Sequence, residues 1–242
     1  MREQTFIRYL KEWAEANPEL TLDEVIRDAG GADHIVIVVV DVLKGFCETG
    51  PLSSERVAEM VTHVSELLQA AMDKGVPASR FVFLNDSHPP DAVEFSAFPP
   101  HCIRGTEEAE VVEPLQRFAS LDGVRVFRKN ATNGLFGTDE EGVRFFEWLE
   151  NVLEQGPATF LVVGDCTDLC IYQNATGIRL FANEQNARAE VIVPASHSRT
   201  YDLPVDVAIK EGIAAHDADF LDLVFLYHMH LNGIRVLRSL RP

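Results

Sequence analysis

The chain has 242 residues, 46% of them apolar, and no Pro-, Gly- or Ser-rich stretch divides it, so one domain over 1–242 is expected. Its 38 acidic residues against 21 basic give a formal charge of -17, which repels phosphate backbones and anionic headgroups and argues against nucleic-acid and membrane partners. The longest apolar run, 35–43, is interrupted by Asp41 and is far shorter than the roughly 20 residues that cross a bilayer.

The N-terminal residues mix both charges and lack the apolar centre of a secretory signal, so a cytoplasmic location is expected, with Cys47, Cys102, Cys166 and Cys170 reduced. Phe6, Tyr9, Leu10 and Trp13 share one helical stripe, and residues 1–33 are expected to form a helical extension. Strand-length apolar runs follow at 35–40, 81–84, 124–127, 160–163, 191–193 and 234–237. Between them, Val57, Met60, Val61, Val64, Leu67 and Leu68 repeat at helical spacing with Ser53 and Ser54 as candidate caps, as do Phe145, Phe146, Leu149, Val152 and Leu153. Continuous apolar strands alternating with helices predict a doubly wound three-layer α/β/α domain around a mostly parallel six-stranded sheet. Ligands bind such sheets beyond the carboxyl ends of the strands, and Asp41, Asp86, His88, Lys129 and Cys170 all fall there.

Residues 160–170 read as a strand, a glycine turn and a helix start, with Thr167 as the expected N-cap. A thiol in the first turn of a helix feels the positive end of the dipole, which favours the thiolate and aims backbone N–H groups at a neighbouring anion. Alone, Cys170 would read as a small buried hydrophobe, and Lys129 as a solvated loop residue. Asp41 weighs against that reading, because a carboxylate directly after three valines is costly to bury unless it is paired or used. Asp86, His88, Glu94 and His101 together offer O and N ligands of the kind that leave positions open on a divalent ion. Asp91 reads as a turn residue.

Three ordered segments, residues 39–47 around Asp41, 129–136 beginning at Lys129, and 163–170 ending at Cys170, resemble the Asp, Lys and Cys motifs of the isochorismatase-like cysteine hydrolases. The Asp-x-His at 86–88 and the Phe-Pro-Pro-His-Cys-Ile-x-Gly-Thr at 98–106 are similar to the metal loop of the nicotinamidase branch. The resemblance implies the isochorismatase-like hydrolase fold and hydrolysis of nicotinamide to nicotinate and ammonia, a step of NAD salvage. It implies Cys170 as nucleophile, Asp41 as base, Lys129 beside them, and an oxyanion hole from the backbone N–H groups of Cys166 and Cys170. It places a non-proline cis peptide at Asp165–Cys166, one divalent ion (zinc ahead of iron or manganese) on Asp86, His88 and His101 with Glu94 as a fourth ligand, and Phe46 and Phe136 at the substrate ring. A homo-oligomer is also implied. Residues 200–208 with His216 look like the C-terminal segment of the plant-type enzymes, with His216 read as structural.

Two departures stand out. Leu43, Lys44 and Gly45 replace a polar trio, and Asp165 stands where an apolar residue is usual, adding negative charge near the nucleophile. Three rivals to the nicotinamide reading follow: a cysteine hydrolase of another carboxamide, pyrazinamide-like or other, a non-catalytic metal-binding protein of the same fold, and a redox protein using Cys166 and Cys170.

Overall fold

The computed structural model describes residues 2–242; Met1 lies outside the described residues. The strands are β1 (Glu19–Thr21), β2 (Ile35–Val40), β3 (Phe81–Asp86), β4 (Arg125–Lys129), β5 (Ala158–Asp165), β6 (Ala189–Pro194), β7 (Ser198–Arg199), β8 (Arg235–Leu237) and β9 (Ser239–Arg241). The helices are α1 (Arg2–Ala16), α2 (Leu22–Ala29), α3 (Lys44–Cys47), α4 (Glu55–Ala58), α5 (Met60–Asp73), α6 (Glu113–Ala119), α7 (Phe145–Glu154), α8 (Tyr172–Glu184), α9 (Val205–Glu211) and α10 (Ala218–Leu231). The six expected strands form the sheet in the order β4-β3-β2-β5-β6-β8, with every pair parallel. A seventh, the two-residue β7, pairs with the end of β5 at Gly164 and Asp165.

Both faces of the sheet are buried, which is why its strands read as unbroken apolar runs. Ile35, Ile37 and Val39 face one core with Phe81, Phe83, Leu161 and Val163, under α2, α5 and α6. Val36, Val38 and Val40 face the other with Val82, Leu84, Phe160 and Val162, under α7, α8 and α10. The chain winds outward from β2 through β3 to β4 and from β5 through β6 to β8, so the direction of winding switches between β2 and β5. At that switch Gly164 has φ 125, and a Cβ there would stand 2.0 Å from the Val40 carbonyl oxygen. Glycine is what lets the two strand ends meet.

The N-terminal segment is built into this body at both of its parts. Phe6, Tyr9 and Trp13 of α1 pack on Tyr227 of α10, with ring centroids 6.0, 5.9 and 5.1 Å apart. β1 pairs in parallel with β9, and Thr21 and Glu24 close a capping box on α2. The apolar stripe over 57–68 is two helices, α4 and α5, and Ser54 caps the first by accepting from Val57 N–H at 3.4 Å. No helix among the described residues is long and apolar enough to cross a membrane.

His197, 1% exposed, lies under α5 with its ring 5.8 Å from that of His63. Burial, with His63 beside it, lowers its pKa from 6.5 to about 4. The unfolded chain therefore takes up this proton first as the pH falls, so stability from this group is complete above pH 6.5 and is lost on descent to about pH 4. The loss amounts to about 3 kcal/mol. Denaturant unfolding across that window is expected to show a steeper acid decline in the wild type than in His197→Gln, and parallel declines would contradict it.

Candidate active site

Four strand ends converge at the switch. Asp41 follows β2 in the left-handed region, φ 54, a conformation that aspartate tolerates better than branched residues. Its N–H donates to the Leu84 carbonyl at 3.0 Å, and its Oδ1 accepts from Asp86 N–H at 2.7 Å, which ties β2 to the end of β3. Lys129 is the β4 neighbour of Asp86 in register. Its Nζ lies 2.7 Å from Asp41 Oδ2, donates to Asp86 Oδ1, and stands 3.7 Å from Cys170 Sγ. All four residues are buried.

Charge balance in this cluster sets its chemistry. Lys129 is held well above its ordinary range, against burial, by Asp41, Asp86 and Cys170. Asp41 rises to about 6 through burial and the nearby Asp86, against the pull of Lys129. Burial also works to raise Asp86, but Lys129, His101 and His88 together hold it well below the usual carboxylate range. The Cys170 thiol is pushed well above its usual range by burial and then by Asp41, Asp86 and Asp165, against Lys129. Cys170 therefore rests as a thiol beside an unusually basic carboxylate, with desolvation the largest influence on the sulfur.

Cys170 sits in the five-residue turn Thr167–Ile171, which runs directly into α8. Cys166, not Thr167, occupies the N-cap position, and no side chain caps it. The Asp165–Cys166 peptide is cis. Asn174, four residues past Cys170 on α8, accepts from Gly134 N–H at 2.7 Å and donates to the carbonyls of Thr132 and Cys170 at 3.0 and 2.8 Å. This residue, missed in the sequence, fixes the loop after Lys129 against the cysteine turn. A buried asparagine one turn beyond the cysteine was the available signal.

Asp86 also faces away from Lys129. Its Oδ2 lies 3.5 Å from His88 Nε2 and 3.7 Å from His101 Nε2, and the ligand atoms of the three residues lie within 4.8 Å of one another. His88 Nδ1 is 2.8 Å from Asn130 Oδ1, and His101 Nδ1 is 2.8 Å from the Pro99 carbonyl, so each Nδ1 faces an acceptor and each Nε2 faces the space shared with Asp86, free to offer its lone pair to a cation there. His88 Nε2 is buried without a hydrogen-bond partner among the described residues. Two imidazole lone pairs and a carboxylate oxygen aimed at one point fit a divalent ion. Glu94, on the turn Val93–Ser96, is half-buried and lines the same cavity but lies outside the converging trio.

The cavity, about 460 Å³, is lined by Phe46, Asp86, Glu94, His101, Cys166 and Cys170 among others. Phe46 packs 5.6 Å from the His101 ring. Phe136 does not reach the cavity: it is 73% exposed and packs on Phe146, because the Gly134 tether turns Leu135 inward and its successor out. Asp165 lines the cavity. Burial first, and then Asp41, Asp168 and Asp86, push its carboxyl well above the usual range, against a contact from Cys166. Asp165 is in turn among the groups that raise the Cys170 thiol, as its place in the sequence leads one to expect. The Leu43-Lys44-Gly45 departure is turned away from the cavity: Lys44 pairs with Glu107 and Glu110 at 3.3 and 2.8 Å, and a Cβ on Gly45 would meet Cys102 Sγ at 2.7 Å.

A family model described as the isochorismatase domain matches residues 35–199, and the chain belongs to that family. It is 32% identical over 216 residues to Nicotinamidase 1 of Arabidopsis thaliana, covering 84% of this chain and 85% of that one. It is 31% identical over 150 residues to the nicotinamidase/pyrazinamidase of Mycobacterium tuberculosis, covering 57% of this chain and 75% of the relative. The crystal structure of the pyrazinamidase of Pyrococcus horikoshii in complex with zinc shares the fold, with TM-score 0.59 at 19% identity over 84% of this chain and 98% of that one.

Proposed function

We propose that this chain is a metal-dependent cysteine amidase that hydrolyses nicotinamide to nicotinate and ammonia, a reaction that returns the pyridine ring to NAD synthesis. The observation that carries the reading is the buried chain of contacts from Asp41 through Lys129 to Cys170, opening on the cavity that Asp86 and His101 of the Asp86–His88–His101 trio also line. The names of the two curated relatives support the substrate class.

In this reading Asp41, ionised at neutral pH yet more basic than an ordinary carboxylate, takes the Cys170 proton as the carboxamide binds. The thiolate attacks the amide carbon, and the oxyanion is met by the backbone N–H groups of Cys166 and Cys170. Asp41 returns its proton to the leaving nitrogen, the C–N bond breaks, and ammonia departs from a Cys170 thioester. Water gives a proton to Asp41 and attacks the thioester carbon; the C–S bond breaks, Cys170 recovers the proton, and nicotinate leaves. Lys129, between the two carboxylates, balances the charge of Asp86 and of Asp41 whenever Asp41 is ionised. Phe46 supplies a face for the ring. A divalent ion held by Asp86, His88 and His101, with Glu94 as a further ligand from the rim, supplies a Lewis-acid position in the cavity when bound; zinc, iron and manganese all suit these donors.

The test is ammonia release from nicotinamide, pyrazinamide and N-carbamoylsarcosine by purified protein. Nicotinamide is expected to give the highest kcat/KM. Chelation is expected to lower that value on the order of 10²-fold, with recovery on adding zinc, iron or manganese. Turnover confined to another carboxamide would keep the cysteine-amidase class and reject nicotinamide.

A further inference from the structure

His216 takes no part in the mechanism above, yet its surroundings are unusually restrictive. The ring is 8% exposed, with Nε2 2.9 Å from Asp168 Oδ2 and Nδ1 2.8 Å from the backbone carbonyl of Tyr201. A carboxylate and a carbonyl are both acceptors, and a neutral imidazole has one N–H. Both contacts are satisfied together when the ring is an imidazolium. The groups facing it agree: Asp168 from the cysteine turn and Asp222 from α10 favour the cation against burial, and His216 in turn holds Asp168 below its usual range.

The contact with Asp168 joins a wall of the cavity to the turn that carries the nucleophile, and the contact with the Tyr201 carbonyl ties the two ends of that wall together. Backbone bonds between Leu203 and His216, at 2.7 and 2.9 Å, close the base of segment 203–216, which carries α9. Tyr201, Leu203, Ile213 and Ala214 line the cavity, and the Tyr201 ring stacks on His216 at 3.8 Å. Asp168 stands two residues before Cys170, and its other oxygen accepts from Thr200 Oγ1 at 2.5 Å. One carboxylate in the cysteine turn therefore holds Thr200 and His216, the two ends of this wall. Beyond the Leu203–His216 bonds and an Ala218 N–H donated to Asp202 Oδ1 at 3.0 Å, α9 adds little to hold the wall, since Ala208 is its buried residue while Val205, Ile209 and Ile213 are exposed.

We propose that His216 is a positioning residue whose imidazolium form, bonded to Asp168 and to the Tyr201 carbonyl, holds the 200–217 wall against the Cys170 turn and so sets substrate affinity. Loss of one ring proton leaves a lone pair facing an acceptor, and one tether opens. The pairing raises the folded-state pKa above 6.5, so its stabilisation is complete below pH 6.5 and is lost as the pH rises through the folded value.

The affinity arm rests on the amidase reading; the wall arm does not. Long-range proton–nitrogen NMR on the full chain, with His216→Gln giving the assignment, is expected to show both His216 nitrogens protonated at pH 7. Hydrogen exchange of residues 203–216 in the wild type, corrected for intrinsic rates, is expected to quicken as that signal titrates. In the zinc-loaded enzyme KM for nicotinamide is expected to rise about tenfold through the same midpoint, as for one lost charge-assisted hydrogen bond, with kcat changed less than about threefold. His216→Gln is expected to remove that pH step. A singly protonated ring at pH 7, exchange that ignores the titration, or a KM step that persists in His216→Gln would overturn the proposal. Absence of nicotinamide turnover with the NMR and exchange results as expected would reject nicotinamide as the substrate and leave the clamp standing.

Discussion

Replacing Cys170 with alanine is expected to lower kcat/KM for nicotinamide by about 10⁴-fold or more, with the fold intact. The size follows from the arrangement: Asp41 and Lys129 both act through the sulfur, so without it neither has a group to activate. Stability should barely respond, because a small side chain is truncated and the Asp41–Lys129–Asp86 ion pairs remain. Circular dichroism and a denaturant midpoint near that of the wild type would confirm that chemistry was removed and not structure. Residual activity within tenfold of the wild type would move the nucleophile elsewhere.

The second large effect is on stability. Lys129→Met is expected to cost about 3–5 kcal/mol at neutral pH, because it leaves two carboxylates buried without their cation. Asp41 and Asp86 lie on either side of Nζ, and each is almost wholly buried. In the variant both carboxyls would have folded-state pKa values above those of the unfolded chain. The folded variant then binds more protons, and its deficit relative to wild type shrinks as the pH falls from 8 towards 5. Denaturant unfolding at the two ends of that range checks the sign. A deficit below about 1 kcal/mol, or one that grows with acid, would mean that the pairs are solvated enough to matter little.

The six main strands were legible in the sequence because a parallel sheet covered on both faces must be apolar at every position, and runs such as 35–40 say so directly. The remaining pairings were not. β7 has two residues and β1 and β9 three each, too few for any periodicity, and their places come from tertiary contact. Asp41 was readable as a carboxylate out of keeping with its setting and Lys129 and Cys170 through the resemblance of their segments, and the structure brings the three side chains together. The double engagement of Asp86, with Lys129 on one oxygen and two histidines on the other, depends on β3–β4 register and on a loop returning from residue 101. Phe136 was misplaced because side-chain direction in the 130–137 loop is set by Asn174, forty residues away in the chain. His216 could be seen in the sequence but not interpreted, since its meaning lies in two acceptors contributed by residues 168 and 201.

The most direct measurement is rapid-quench mass spectrometry of the metal-loaded protein during turnover of nicotinamide. The peptide carrying Cys170 is expected to gain the mass of the substrate less ammonia, to lose it as substrate is exhausted, and to show no gain in Cys170→Ala. Steady turnover with no acyl group on Cys170, or the same adduct on another residue, would contradict the account.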